Sequence, residues 1–574
     1  MQRLITRRTL LSNGLKTGLG LAILKTASGA SPVQISDQYR RQPDRFAAAY
    51  LRLDAFITRH MSEIGAPGIT VAIADRRGLL RASQYGFSDL KKGLRVAPET
   101  LFEIGSISKS FVAIAIVQLA EEGKLDLHKP VKDYLPWLKI ESSFAPFTTH
   151  HLLSHTSGLS GVPLLQRVAA QTLRTGFEPG TQFVYCNIGY VLLGLLLETI
   201  DQRPFDVALR ARVLRPLGMN ASEPVIANSA RNRMAVGYSP LFEDRPFPLK
   251  GKLGEAPWLE VPEAAGSVAA TARDMGNYLA MLLNRGMGPG ERVLTEKGFA
   301  LLTKPVVKAP FRGEDASYAY GLWTTDKGNT LLRHTGGMVA FSSAMYADVT
   351  DGFAVFASVN ARLGGYRPVA VTRYALDLLS AAANTKELPP QPAPPPAPDK
   401  IKNAADYAGT FTTPNGRKLA LTNEGQQLIL LHNNQRIVLE AAGQDHFIVK
   451  HPDFELFLLG FGRDKGLVAE AFHGAEWWTN ERYTGAKEFN HPPEWDAYVG
   501  HYRSDSPWYG SARVVIRKGA LLFDDEQELK QIEPGVFRPV GATAADWVAF
   551  DTMLMGKANH VNYSGIDYYR TFTP

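Results

Sequence analysis

The sequence predicts an α/β (α+β) chain: one large domain of antiparallel sheet flanked by helices with a helical subdomain, followed by two small all-β, barrel-like domains. Three observations carry this. Helical apolar periodicity at 108–122, 187–199 and 272–283 alternates with Gly- and Pro-rich loops, then gives way to strand-like runs at 331–334, 342–349 and 353–360 and a closing helical pattern at 369–382. Seven prolines fall between Pro389 and Pro398, a polyproline spacer without apolar periodicity. Beyond it the texture is short alternating runs, and Tyr407-Ala408-Gly409-Thr410-Phe411 is echoed by Tyr498-Val499-Gly500-His501-Tyr502 at an offset of 91 residues. The echo continues at Gly425 and Gly519, Phe447 and Phe537, and Phe454 and Trp547. The expected boundaries are 1–30, 31–387, 388–399 for the linker, 400–487 and 488–574.

Residues 1–30 stand apart. Arg7 and Arg8 precede a weakly apolar stretch, Gly18 to Leu24, and small residues at Ser28, Gly29 and Ala30, which resembles a twin-arginine export signal and implies a periplasmic or secreted protein. The stretch is shorter than the 18 to 20 or so residues a membrane span needs, so stable membrane insertion is not expected. The net charge of +7 comes from interspersed residues, 63 basic and 56 acidic, with no basic block, which argues against nucleic-acid binding. A single cysteine, Cys186, excludes an intramolecular disulfide and a cysteine-built zinc site.

Ser106-Ile107-Ser108-Lys109 follows Gly105 and opens the first helical run, which places Ser106 at a helix N-terminus with Lys109 one turn on. A serine hydroxyl becomes a useful nucleophile only when a neighbour takes its proton, and a lysine does so once burial lowers its pKa. The helix N-terminus adds N–H donors where negative charge develops at an attacked carbonyl. A Ser and a Lys three apart are weak evidence alone, since an ordinary N-cap has the same appearance. Two further groups accompany them: Tyr185-Cys186-Asn187, which opens another apolar helix, and His334-Thr335-Gly336-Gly337 on a strand-like run.

With these three motifs the chain resembles the serine β-lactamase and penicillin-binding protein superfamily, in its class C β-lactamase, D-aminopeptidase and esterase branch. The resemblance extends through Gly123-Lys124-Leu125-Asp126-Leu127, His151-Leu152-Leu153-Ser154-His155-Thr156-Ser157-Gly158-Leu159, Pro216-Leu217-Gly218-Met219 and Ala272-Arg273-Asp274-Met275, over roughly residues 45–380. It implies a serine β-lactamase-like catalytic domain in which Ser106 is acylated and Lys109 and Tyr185 act as base and proton shuttle, in an order the sequence leaves open. It further implies that Asn187, His334, Thr335 and Gly336 bind substrate and that the N–H groups of Ser106 and Gly337 form the oxyanion hole.

His334 departs from the family's usual Lys. A histidine is mostly neutral near pH 7 and holds an anion weakly; within the family a histidine at this place resembles the aminopeptidase and esterase members, which ranks antibiotic hydrolysis lower. His150, His151 and His155 have no acidic partner nearby and are read as structural, with no metal and no cofactor expected. Cys186 is read as a compact filler, and Gly460-Phe461-Gly462 as a turn.

The expected function is a serine hydrolase working through an acyl-enzyme on Ser106, acting as a peptidase or amidohydrolase on small peptides that include D-residues. The alternatives are a carboxylesterase, a β-lactamase, and a non-catalytic scaffold that binds peptidoglycan or a partner. The expected partner is accordingly a small peptide or ester substrate. The export reading makes its own prediction: Arg7→Lys combined with Arg8→Lys retains the protein in the cytoplasm, measured by fractionation, and unimpaired export of that variant refutes it.

Overall fold

Strand Gly68–Asp75 is buried along its whole length, an uncommon state for an antiparallel strand. The reason is that helices cover both faces of its sheet. In the computed structural model, which describes residues 45–161, 172–327 and 329–572, this strand pairs with Gly78–Asp89 on one side and with Phe353–Val359 on the other, Ile69 facing Val359. The nine-stranded sheet thus joins the two ends of the large domain. It continues outward through Ser342–Asp348 and Asn329–Gly337, antiparallel throughout. The export-signal reading of 1–30 lies outside the described residues.

One face is packed by helices Ala47–Ile64 and Val369–Ala383, with Phe56, Ile57, Tyr374 and Leu378 in the interface. The other carries Ser108–Glu121 and Ala272–Leu283. Helix Ser108–Glu121 is buried on every side from Ser108 to Val117, because the sheet lies beneath it and the helical subdomain around Asn187–Asp201 lies above. A helix enclosed in this way holds whatever stands on its first turn in a fixed place. No helix among the described residues is long and apolar enough to cross a membrane.

The proline segment is not a free spacer. Arg52 Nη1 donates to the carbonyls of Leu388 and Pro389 at 2.8 and 3.0 Å, Arg59 to that of Pro392 at 2.6 Å, and the Tyr374 hydroxyl to Pro389 at 3.2 Å. Prolines cannot donate, but their carbonyls accept freely, and the first and last helices of the large domain use them to strap the segment down.

The two C-terminal units share one up-and-down plan. From Gly500–Arg503 to Ile566–Thr571 eight strands close into a barrel, the first pairing with the last. From Gly409–Thr412 to Glu476–Thr479 the first strand again meets the last, but nine strands form an open ladder whose two edges, Gln435–Val438 and Glu440–Gly443, are separated by Leu439 alone. The single strand Gln527–Glu533 of the barrel is here broken in two. The echoed residues occupy matching places: Tyr407 meets Phe447 ring to ring at 4.9 Å, and Tyr498 meets Phe537 at 5.6 Å. Gly460-Phe461-Gly462 is not a turn but lies in strand Leu459–Asp464, where the Phe472 ring covers the place a side chain at 460 would fill.

The barrel is seated on the large domain. Ser160 Oγ donates to Asp546, Arg513 to the Asp244 carbonyl, and a Cβ at Gly176 would lie 2.6 Å from the Ala544 carbonyl carbon. Gly176→Val therefore lifts this loop from its seat. The expected result is a separate, lower-temperature calorimetric transition for the barrel, while one unchanged transition shows that the seat does not depend on Gly176.

Candidate active site

Ser106 lies on a single tight turn, Gly105–Ile107, immediately before the enclosed helix. The turn needs φ +53° at Gly105, and a Cβ there would stand 2.8 Å from the Gly337 backbone nitrogen. Glycine meets both demands at once. Its bareness brings the end of strand Asn329–Gly337 against the nucleophile turn, and Ser343 Oγ ties that strand's neighbour to the Ile104 carbonyl at 2.7 Å. Gly337 N and the turn that carries Ser106 are thereby adjacent.

Three serines crowd this region, and their partners separate them. Ser108 Oγ accepts the Val268 N–H at 3.0 Å, and Ser110 Oγ is shared between the Ile107 carbonyl and the Tyr278 hydroxyl. Both are fully buried. Only Ser106 meets Lys109, with 3.0 Å from Oγ to Nζ. Lys109 is 0% exposed, and its Nζ also donates to Asn187 Oδ1 at 2.8 Å and to the Ala265 carbonyl at 2.7 Å. Its surroundings are the rings of Tyr185 and Tyr190, 5.0 and 5.4 Å from Nζ. Burial lowers its pKa from 10.5 to about 7, against a small opposing effect of Cys186.

Tyr185 is half-buried beside Ser106; burial raises its pKa well above the usual phenol value, so it is a protonated phenol at neutral pH. Asn187 begins helix Asn187–Asp201, whose N-cap is Cys186. The thiol accepts the Gly189 N–H at 3.4 Å and donates to the Ser160 carbonyl at 3.1 Å, and burial pushes its pKa up to about 12. It is an unreactive cap, placed so that Tyr185 and Asn187 on either side reach Lys109.

His334 is the principal departure from the sequence reading. It is 2% exposed, its Nδ1 donates to the Thr335 carbonyl at 2.7 Å, and its Nε2 lies 3.3 Å from the Tyr318 hydroxyl. Burial, aided by Lys109, lowers its pKa to about 3, so it is neutral at any physiological pH. Neither His334 nor Thr335 nor Gly336 lines the pocket over Ser106, whereas Asn187 and Gly337 do. Gly336 is instead held against the Ile104 carbonyl and Ser343 Oγ, where a side chain would collide. The His334 ring and the bare α-carbon of Gly336 thus support the strand end from inside the fold.

His155 completes the floor. Held at φ +59°, its Nδ1 accepts the Cys186 N–H at 3.0 Å, and its ring packs on Tyr185 at 4.3 Å and Tyr318 at 4.8 Å. His150 bonds the Tyr320 hydroxyl at 2.6 Å, and His151 caps the helix Thr149–Leu153 with Thr148. Both are structural in this arrangement.

Two features escaped the sequence reading. Arg367 presses its guanidinium against Gly337, where a side chain would collide with it; it bonds only the Tyr366 and Gly365 carbonyls and Ser342 Oγ, and no carboxylate among the described residues pairs with it. Ser506 and Trp508, from the C-terminal barrel, line the pocket over Ser106. Trp508, Val261 and Met338 also border a larger cavity of about 1070 Å³ next to it.

A serine bonded to a buried lysine and set beside a protonated tyrosine, at the start of a helix packed against an antiparallel sheet, is the arrangement of a serine hydrolase. Residues 53–380 match the family described as Beta-lactamase, and the chain belongs to that family. It is 28% identical over 391 residues to Penicillin-binding protein 4 of Amycolatopsis lactamdurans, covering 64% of this chain and 97% of that one. It is 24% identical over 410 residues to Penicillin-binding protein 4* of Bacillus subtilis, covering 65% and 84%. Among solved structures, the octameric penicillin-binding protein homologue from Pyrococcus abyssi aligns with a TM-score of 0.53 at 23% identity, over 75% of this chain and 98% of that one, a likeness of fold.

The depressed lysine sets the pH dependence. Only neutral Lys109 accepts a proton, and the neutral fraction grows as pH rises, so kcat/KM is expected to climb with pH through a midpoint near 7. Lys109→Ala lowers kcat/KM by about 10²–10⁴-fold. A wild-type profile flat from pH 5 to 9 contradicts this assignment.

Proposed function

We propose that the protein is an amidohydrolase of short peptides in which Lys109 is the first base. The observation that carries this reading is the set of partners around Nζ. Two of them, Asn187 Oδ1 and the Ala265 carbonyl, can only accept, and they use both N–H bonds of a neutral amine. The lone pair is left for the third partner, the Ser106 hydroxyl, which can donate.

The steps follow from the geometry. Lys109 Nζ takes the hydroxyl proton, and Ser106 Oγ bonds to the substrate carbonyl carbon while the oxyanion forms beside the N–H groups of Ser106 and Gly337. Tyr185, a phenol beside Ser106 and Lys109, passes a proton to the leaving nitrogen as the C–N bond breaks, and is itself reprotonated from Lys109. Water then attacks the acyl-enzyme by the same route in reverse and releases the acid.

An amide substrate is favoured by the availability of both a base and a separate proton donor, since an amine leaves only when protonated. The names of the relatives agree with this, because penicillin is itself an amide. With His334 neutral and buried, the fixed cation near Gly337 is Arg367, suited to a carboxylate on the leaving portion of a peptide.

A fluorophosphonate probe, followed by intact-mass spectrometry, is expected to add one adduct to the wild type and none to Ser106→Ala. D- and L-aminoacyl anilides run beside short p-nitrophenyl esters decide the substrate class: turnover of anilides supports the amidohydrolase, and turnover of esters alone replaces it with a carboxylesterase. No adduct on the wild type leaves the non-catalytic scaffold.

A further inference from the structure

Arg367 stands against Gly337 from a loop that has little of its own to hold it. Between strand Phe353–Val359 and helix Val369–Ala383 the chain passes through Gly364 and Gly365, both exposed, at φ +50° and +80°. Two adjacent glycines in the left-handed region leave the backbone free to swing. The guanidinium bonds only within this neighbourhood, with 2.7 Å from Nη1 to the Tyr366 carbonyl and 3.5 Å to the Gly365 carbonyl and to Ser342 Oγ. Its place is therefore set by whatever fixes Tyr366.

Tyr366 is tied to the first helix of the large domain. Its hydroxyl lies 3.0 Å from Nε2 of His60, a residue of helix Ala47–Ile64 that is buried and stacked on Phe56 at 5.3 Å. Burial lowers the pKa of His60 against an opposing effect of Glu63, so the ring is neutral at neutral pH and one of its nitrogens accepts. Glu63 lies 3.6 Å from Nδ1, which places the ring proton there and leaves Nε2 to accept from the Tyr366 hydroxyl. The same helical turn is itself pinned, since Arg59 pairs with Glu63 at 3.2 Å and donates to the Pro392 carbonyl at 2.6 Å. On its other side the Tyr366 N–H closes the loop onto the Leu363 carbonyl at 2.8 Å.

We propose that Tyr366 is a positioning residue which, through its bond to His60, holds the Arg367 guanidinium at Gly337, where it meets a carboxylate on the leaving portion of the substrate. Neither Tyr366 nor His60 lines the pocket over Ser106, so neither touches the reacting atoms. This rests on the reading of Arg367 as the partner of that carboxylate. A guanidinium is a planar fork whose bonds to a carboxylate depend on direction, so a loop that swings forfeits the contact although the cation is still present. Loss of one hydroxyl at position 366 thus acts on carboxylate recognition while leaving Lys109 and its partners in place.

The test uses the full chain and p-nitroanilides of one acyl group with and without a ring carboxylate on the leaving aniline, beside the matching pair of p-nitrophenyl esters. The ratio of kcat/KM for the carboxylated over the plain compound reads the carboxylate contact within one variant, so partial misfolding does not move it. Arg367→Ala gives the ratio without the cation, and the wild-type ratio is expected to exceed it by about 10–100-fold. Tyr366→Phe, which keeps the ring and removes only the hydroxyl, and His60→Leu are each expected to lower the wild-type ratio at least about threefold toward that value. A smaller drop in either variant overturns the positioning role and leaves Arg367 its carboxylate. Equal ratios in the wild type and Arg367→Ala overturn both. Inert anilides with active esters sink the amidohydrolase reading alone, since the ester pair still gives the ratio, and absence of turnover of all four compounds overturns the whole.

Discussion

Lys109 is enclosed by residues from four separate parts of the chain: the nucleophile turn, the Tyr185–Asn187 segment, the Ala265 loop and, through Tyr185 and His155, the sheet edge at Tyr318. Burial holds its ammonium at about 7 in place of 10.5, which corresponds to roughly 5 kcal/mol against the charged form. That is comparable with the net stability of a whole domain. Between pH 7 and 10.5 the unfolded chain binds a proton that the native protein does not, so the native state gains stability as pH rises through that window and bears the full cost below it. A residue so unfavourable in place is held there by the rest of the core, which explains why helix Ser108–Glu121 is packed on every side.

The neutral histidines belong to the same constraint. His155 and His334 both have their pKa values lowered by burial and by Lys109, and were either protonated it would place a second cation beside the lysine. Their neutrality keeps the field at Ser106 set by one titrating group. It also removes from the strand end the charge that a lysine there would supply, which leaves the anion-binding capacity of that side to Arg367.

The parts of this arrangement that were legible in the sequence are those within one turn or one short motif. Ser106 and Lys109 are three apart on a helix, and Tyr185 and Asn187 flank a cap, so local geometry fixes both pairs. Whether His334 faces substrate was not legible, because its burial depends on Tyr318 from a neighbouring part of the sheet. Arg367, Glu263 and Trp508 reach the site from loops after the last strand, before the Gly266 turn and in the barrel, and only the folded chain brings them together. Strand Gly68–Asp75 shows no alternation because both of its faces are covered, so its pattern carries no signal of which strand it pairs with. In the β units the echoed aromatics were readable, but the break at Leu439 was not, since Gln435–Val438 and Glu440–Gly443 have no turn residue between them.

The pocket over Ser106 has walls from two domains. The turn at Ser106, Asn187 and Val191 of the following helix, Gly337 at the strand end and the Glu260–Gly266 loop line the pocket from the large domain. Ser506 and Trp508 complete that lining from the barrel, and the contacts that seat the barrel are Gly176 against Ala544 and Ala545, Ser160 with Asp546, and Arg513 with Asp244. Gly176, Ser160, Ala544 and Asp546 lie on loops outside the packed helix Ser108–Glu121, so the pocket wall they help to seat is separate from the core around Lys109. The two parts of the chain thus contribute differently to the site: the buried core sets the pKa of Lys109, and the barrel supplies Ser506 and Trp508 to the pocket wall.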